Sequence, residues 1–273
     1  MGHNSDPKES REMLILFRPS PRSIIKAYLA SRIHNGKTVE HTRGQKFFFE
    51  QTLEADSLEY DGLYEEYKEK FGGLDFLENS KLYEILEDEI FWASRFSARD
   101  RFQLIFRVIE LIEAKGTKAY LAQEAPEAKE MKDRVRRASG EFRRARDFLS
   151  FTEDTTNKVL IGRASFEHRV VDLVLRHFAR RKPGYAIAVL DDRHAHICFN
   201  DEILIESRDR FPARKERKDA KRFWLLLSDE KNLNSKKDPD YEKEALPENY
   251  WKWIAEGTEA TSTPGTRTLD DFT

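Results

Sequence analysis

The sequence predicts an α+β fold, with a helical amino-terminal part packed on a small, mostly antiparallel sheet with covering helices. Two observations carry this. Segments with helical periodicity dominate the first half, and short apolar runs separated by turn residues cluster between residues 148 and 205. A third is that 39% of the 273 residues are apolar, ample for a sizeable core.

Taken in order, Leu14-Ile15-Leu16-Phe17 reads as an opening strand. Ser20-Pro21-Arg22-Ser23 supplies a turn and a helix start, and Ile24 to Ile33 continues at helical spacing. Residues 45–92 are acidic and helical in character, broken at Gly72-Gly73 and recapped at Asn79-Ser80. Ser97 with Asp100 begins a helix in which Phe102, Ile105, Phe106, Ile109 and Ile112 form one stripe, ending before Gly116. A basic helix follows from about Glu127 to Phe148. Residues 148–151 and 159–161 read as strands joined by a polar turn from Glu153 to Lys158. Ser165 is expected to cap a helix whose apolar face is Phe166, Val170, Leu173, Val174 and Phe178, stopped by Pro183-Gly184. Tyr185–Leu190 and Ala195–Phe199 form a hairpin around Asp191-Asp192-Arg193-His194, with Ile203–Ile205 as a third strand. Pro212 opens a very basic helix ending in Phe223-Trp224-Leu225-Leu226-Leu227, and Pro247 a short one through Tyr250, Trp251 and Ile254. The divisions are then an acidic helical part over 1–131, a basic α+β part over 132–256, and a tail over 257–273 expected to be disordered.

No run of 18 apolar residues occurs, so no transmembrane helix and no membrane partner is expected. The polar opening MGHNSDPKESRE lacks the apolar stretch of a secretory signal, and the single cysteine, Cys198, excludes an intrachain disulfide; a cytoplasmic location is expected. The net charge of -2 conceals a division: residues 1–131 carry -5, residues 132–222 carry +8 and residues 223–273 carry -5. A basic middle third suits a polyanionic partner, although it also neutralises its acidic flanks.

No glycine-rich phosphate loop, paired-cysteine motif, HExxH or GxSxG appears, and no cofactor is implied. His194, His196 and Cys198 alternate on one strand face, but no fourth ligand stands at suitable spacing, so no metal site is expected. Arg137, Glu141 and Arg144 share one helix face; guanidinium forks suit phosphate oxygens, and the alternative is intrahelical pairing of Arg137 with Glu141. His177 stands one turn before Arg181 at the edge of an apolar stripe, either packed or functional. Tryptophans such as Trp92 suit base stacking, or else the core, where Trp224 and Trp251 are expected. In the tail, Leu269 and Phe272 occupy the aliphatic and first aromatic places of a sequence similar to the sliding-clamp-binding peptide, although Thr266 stands where glutamine is usual.

From about 132 to 256 the chain resembles the family called domain of unknown function 4130. VRRASGEFRRARDFLSF keeps Ser139, Glu141, Arg144, Phe148 and Phe151 of the family's basic helix, and LRHFARRK keeps His177, Phe178, Ala179 and Arg181 of the next. LDDRHAHICFN stands where the family has a hairpin with an Asp-x-x-Arg-type turn, and Trp224, Pro239 and LPENYWKWIAE match its closing part. Arg143, Asp147, Ser150 and Arg176 replace a histidine, a glycine, an arginine and a proline; Lys236, Asp238 and Glu242 replace an Arg, an Asn and a Gln.

The resemblance implies a role in DNA metabolism, beside a radical S-adenosylmethionine protein of DNA modification or repair or a uracil-DNA-glycosylase-like protein. The chain is therefore expected to be an accessory nucleic-acid-binding protein for DNA, single strands included. Arg137, Arg144, Arg181 and Arg193 would hold phosphates and His177 would orient a contact. Two alternatives stay open: an enzyme acting on a DNA base or phosphodiester with Glu141 and His177 as acid and base, and a protein adaptor whose tail binds a sliding clamp.

Overall fold

Four apolar residues in a row leave no polar face, and the strand they form, β1 (Leu14–Phe17), is buried along its whole length. The computed structural model describes residues 13–41, 51–155 and 158–208. These fall into two units: one holds residues up to Ser94 together with Asp100–Lys132, the other Arg95–Arg99 and the chain from Asp133.

In the first unit β1 is the centre of a parallel three-stranded sheet, flanked by β2 (Lys37–Glu40) and β3 (Thr52–Glu54) in the order β2-β1-β3. Between β1 and β2 runs α1 (Pro21–His34), begun by the Ser20 hydroxyl accepting the Ser23 amide at 3.3 Å and ended by Asn35 in the left-handed region. The acidic stretch expected to be helical from residue 45 includes β3; its helices are α2 (Tyr60–Phe71) and α3 (Ser80–Arg95). The Asn79 side chain accepts the amides of Lys81 and Leu82, the cap its position predicts.

The helix expected from Ser97 begins at Arg101, as α4 (Arg101–Lys115). Its stripe buries Phe102, Ile105, Ile109 and Ile112, and Phe102 and Phe106 meet the Phe17 ring edge-on at 5.0 and 5.4 Å. Gly116, at φ +80, ends α4 and admits the short α5 (Thr117–Leu121). Trp92 is buried in this unit and so is no stacking surface.

The basic helix α6 (Pro126–Phe148) belongs to the second unit from Asp133 onward. Phe148 closes it, so the following strand, β4, is only Phe151–Asp154. It leads a five-stranded sheet, β4-β5-β6-β7-β8, with β5 (Val159–Arg163), β6 (Ala186–Leu190), β7 (His194–Phe199) and β8 (Glu202–Ser207). All neighbours are antiparallel except β5 and β6, which α7 (Val171–Arg181) joins by a crossover.

The helix expected to be capped by Ser165 is capped five residues later, at Val170. The amides of Glu167 and His168 bond to Glu141 and that of Arg169 to the Arg95 carbonyl, so these donors are spent outside any helix.

One sheet face packs Val159, Ala186, Ala188, Leu190, Ala195 and Ile197 together. On the other face Phe178 of α7 meets Phe151 at 4.5 Å between rings. Gly162, opposite Phe151 in register, leaves room for that ring; a Cβ there would lie 3.0 Å from it. Among the described residues no helix is long and apolar enough to cross a membrane. The basic helix after Pro212, Trp224, Trp251, and the tail with Leu269 and Phe272 lie outside the described residues.

Candidate nucleic-acid interface

Two basic helices of the second unit, α6 and α7, meet through apolar residues and present guanidinium groups beside the join. Phe142 of α6 is buried, and its ring meets that of His177 edge-on at 6.3 Å; Phe178 lies 5.2 Å from the same imidazole. One turn beyond Phe142 comes Arg146, and one turn beyond His177 comes Arg181.

Burial, and then the charges of Arg181 and Arg146, bring the His177 imidazole down to about 4, against the pull of Asp147. His177 is thus neutral at physiological pH, and its Nε2 is buried with no hydrogen-bond partner among the described residues. Arg146 Nε donates to Asp147 Oδ1 at 2.8 Å, and hydrogen bonding from Arg146 lowers the Asp147 carboxyl. Arg181 is exposed. Two guanidiniums and one carboxylate near a buried ring leave net positive charge at the carboxy-terminal ends of both helices, with Phe148, 81% exposed, closing α6.

The other residues expected to act are not among the charges that shift His177. The two oxygens of Glu141 accept the amides of Glu167 and His168, each at 2.8 Å. Arg137 pairs with Glu167 at 2.8 Å, in place of the intrahelical partner Glu141, and lies over the Phe96 ring at 4.9 Å. His168 is buried against that same ring, with centroids 4.5 Å apart. Glu141 and Arg137 therefore organise the loop before α7. Arg144 is exposed on α6 and makes no ion pair among the described residues. Arg193 is exposed on the β6–β7 turn, where its amide donates to Asp191 Oδ1 at 2.7 Å.

That turn holds a second group. Asp191 Oδ1 also accepts the His194 amide at 2.6 Å, and Oδ2 lies 2.9 Å from His196 Nε2. Burial raises the Asp191 carboxyl, but the bonds from His196, His194 and Arg193 prevail and hold it at about 2. Cys198, the third residue of the alternating set, is fully buried, while Asp191 lies beside the two histidines.

The family model for domain of unknown function 4130 matches residues 99–256, more than half of the chain. The chain belongs to this family. No curated protein matches it.

The domain of unknown function 4130 begins on this chain at residue 99, ahead of residue 132 where the motif resemblance starts, and so takes in α4 to β8. Both the His177 group and the Asp191 turn lie within it. Arg146, one of the arginines around the Arg137–Glu141–Arg144 face in the sequence, is not among the residues expected to hold phosphate. Its signal is position: it follows Phe142 by four residues, on the side of α6 that meets α7.

Proposed function

We propose that this chain is an accessory nucleic-acid-binding protein of a DNA repair or modification system, working in the cytoplasm beside a radical S-adenosylmethionine or uracil-DNA-glycosylase-like enzyme. The observation that carries the reading is the grouping of Arg146 and Arg181 near His177, on helices that also expose Arg144. Guanidinium groups carried near one another on two helices suit adjacent phosphates of one strand. The neutral imidazole near them adds no charge of its own. The resemblance to the family, which implies partners in DNA modification or repair, supports this reading.

The test is a titration of fluorescent single-stranded and duplex DNA with the full chain at two ionic strengths. Binding that weakens steeply with salt is expected. Absence of binding to either form at low salt overturns the reading.

A further inference from the structure

The β6–β7 turn brings together three side chains that nothing in the DNA-binding reading uses. We propose that Asp191, His194 and His196 form a site for one divalent transition cation of the zinc class.

The backbone places the donors. His194 and His196 are two residues apart on β7, hence on the same face, and β7 is held on both sides, His196 pairing with Val189 on β6 and Ile205 on β8. Asp191 ends the preceding strand connection, and its Oδ1 is fixed by the amides of Arg193 and His194 at 2.7 and 2.6 Å. The remaining oxygen, Oδ2, is thereby aimed at the histidines, 2.9 Å from His196 Nε2. One donor atom from each of the three residues lies within 4.8 Å of the others. Ligands about 2.0–2.1 Å from a tetrahedral zinc ion lie roughly 3.4 Å from each other. The Asp191–His196 pair therefore opens by about half an ångström and His194 closes by up to about 1.4 Å. His194 can make that move, since half of its side chain is exposed at the start of the strand.

The donor set selects the class of ion. Two imidazole nitrogens and one carboxylate suit zinc, cobalt, nickel or ferrous iron, whereas calcium and magnesium demand oxygen. Three ligands on an exposed turn leave at least one coordination position open to water, the arrangement of an exchangeable site. With the metal on Nε2, the His196 ring proton sits on Nδ1, which is buried with no partner among the described residues. A ligand histidine lacking an outer acceptor binds about 10–100-fold more weakly than one that has it, so micromolar affinity is expected.

The probe is cobalt(II), titrated into the metal-stripped full chain and followed by visible absorption, with zinc as competitor. One ion per chain is expected, displaced by zinc. His194→Ala should lower the affinity at least about tenfold, while Cys198→Ala leaves it unchanged. On the wild-type chain, paramagnetic broadening should fall on the His194 and His196 imidazole signals first among the seven histidines. Failure to take up cobalt or zinc at submillimolar concentration overturns the proposal. So does undiminished binding by a folded His194→Ala chain, loss of binding in Cys198→Ala, or broadening centred on other histidines.

Discussion

Glu141 accepts the amide of His168 at 2.8 Å, a bond across 27 residues that ties α6 to the loop preceding α7. Its second oxygen takes the Glu167 amide at the same distance. A carboxylate accepting two backbone donors in a half-buried place is a structural cross-link, and removing it strands both amides. Glu141→Ala should therefore cost about 1–3 kcal/mol in urea unfolding, and Glu141→Gln, which keeps one acceptor oxygen, less than that. Equal stability of Glu141→Ala and the parent chain would show that water replaces both bonds.

His177 makes stability depend on pH. Its folded value, about 4, lies below the usual 6.5 because burial and the neighbouring arginines oppose the charged ring. Above pH 6.5 both states hold the ring neutral. As pH falls from there towards 4, the unfolded chain takes up a proton that the folded chain refuses, and stability drops by at most about 3 kcal/mol. Below 4 that contribution is fully lost. His177→Phe, which fills the space and removes the unpartnered Nε2, should flatten this part of the stability curve. A persisting slope of the same size would assign it to other groups.

These two residues mark how far the sequence is legible. The apolar run at β1, the stripe on α4 and the order of strands β6 to β8 follow from local pattern alone. β2 and β3 do not: each is three or four residues long and exists through pairing with β1, which periodicity cannot register. The misplaced start of α7 has the same origin. Ser165 has the residue type of a cap, but the amides after it are claimed by Glu141 from another element. Residue spacing sets His177 one turn before Arg181 and His194 on one strand face with His196, although with no fourth ligand in view it leads to no metal site being expected there. Arg146 and Asp191 joined them only once helix packing and a turn were in place.

Arg95 and Asp172 form a forked pair, Nη1 to Oδ1 at 2.7 Å and Nη2 to Oδ2 at 2.9 Å, and Nη1 also donates to the Arg169 carbonyl at 2.7 Å. The arginine side chain is only 17% exposed, while Asp172 is 37% exposed, so the guanidinium is the sheltered half of the pair. Arg95→Ala should destabilise the chain by about 1–3 kcal/mol, and Arg95→Lys should recover only part, because one ammonium cannot match the fork. Calorimetric melting of the two variants measures both. Full recovery by lysine would mean that charge alone matters there.

Arg181 and Arg137 separate a phosphate contact from a structural one. Arg181 is exposed beside the net positive His177 group, whereas Arg137 is engaged by Glu167 and the Phe96 ring. If DNA docks on the carboxy-terminal ends of α6 and α7, Arg181→Ala should weaken binding to all sequences and reduce the slope of log affinity against log salt by about 1. Arg137→Ala should leave that slope unchanged. A bound phosphate would also stabilise the protonated ring of His177, so its midpoint should rise on DNA binding, as followed by imidazole NMR across pH. An unchanged midpoint together with an unchanged Arg181→Ala slope would move the DNA contact away from these helix ends.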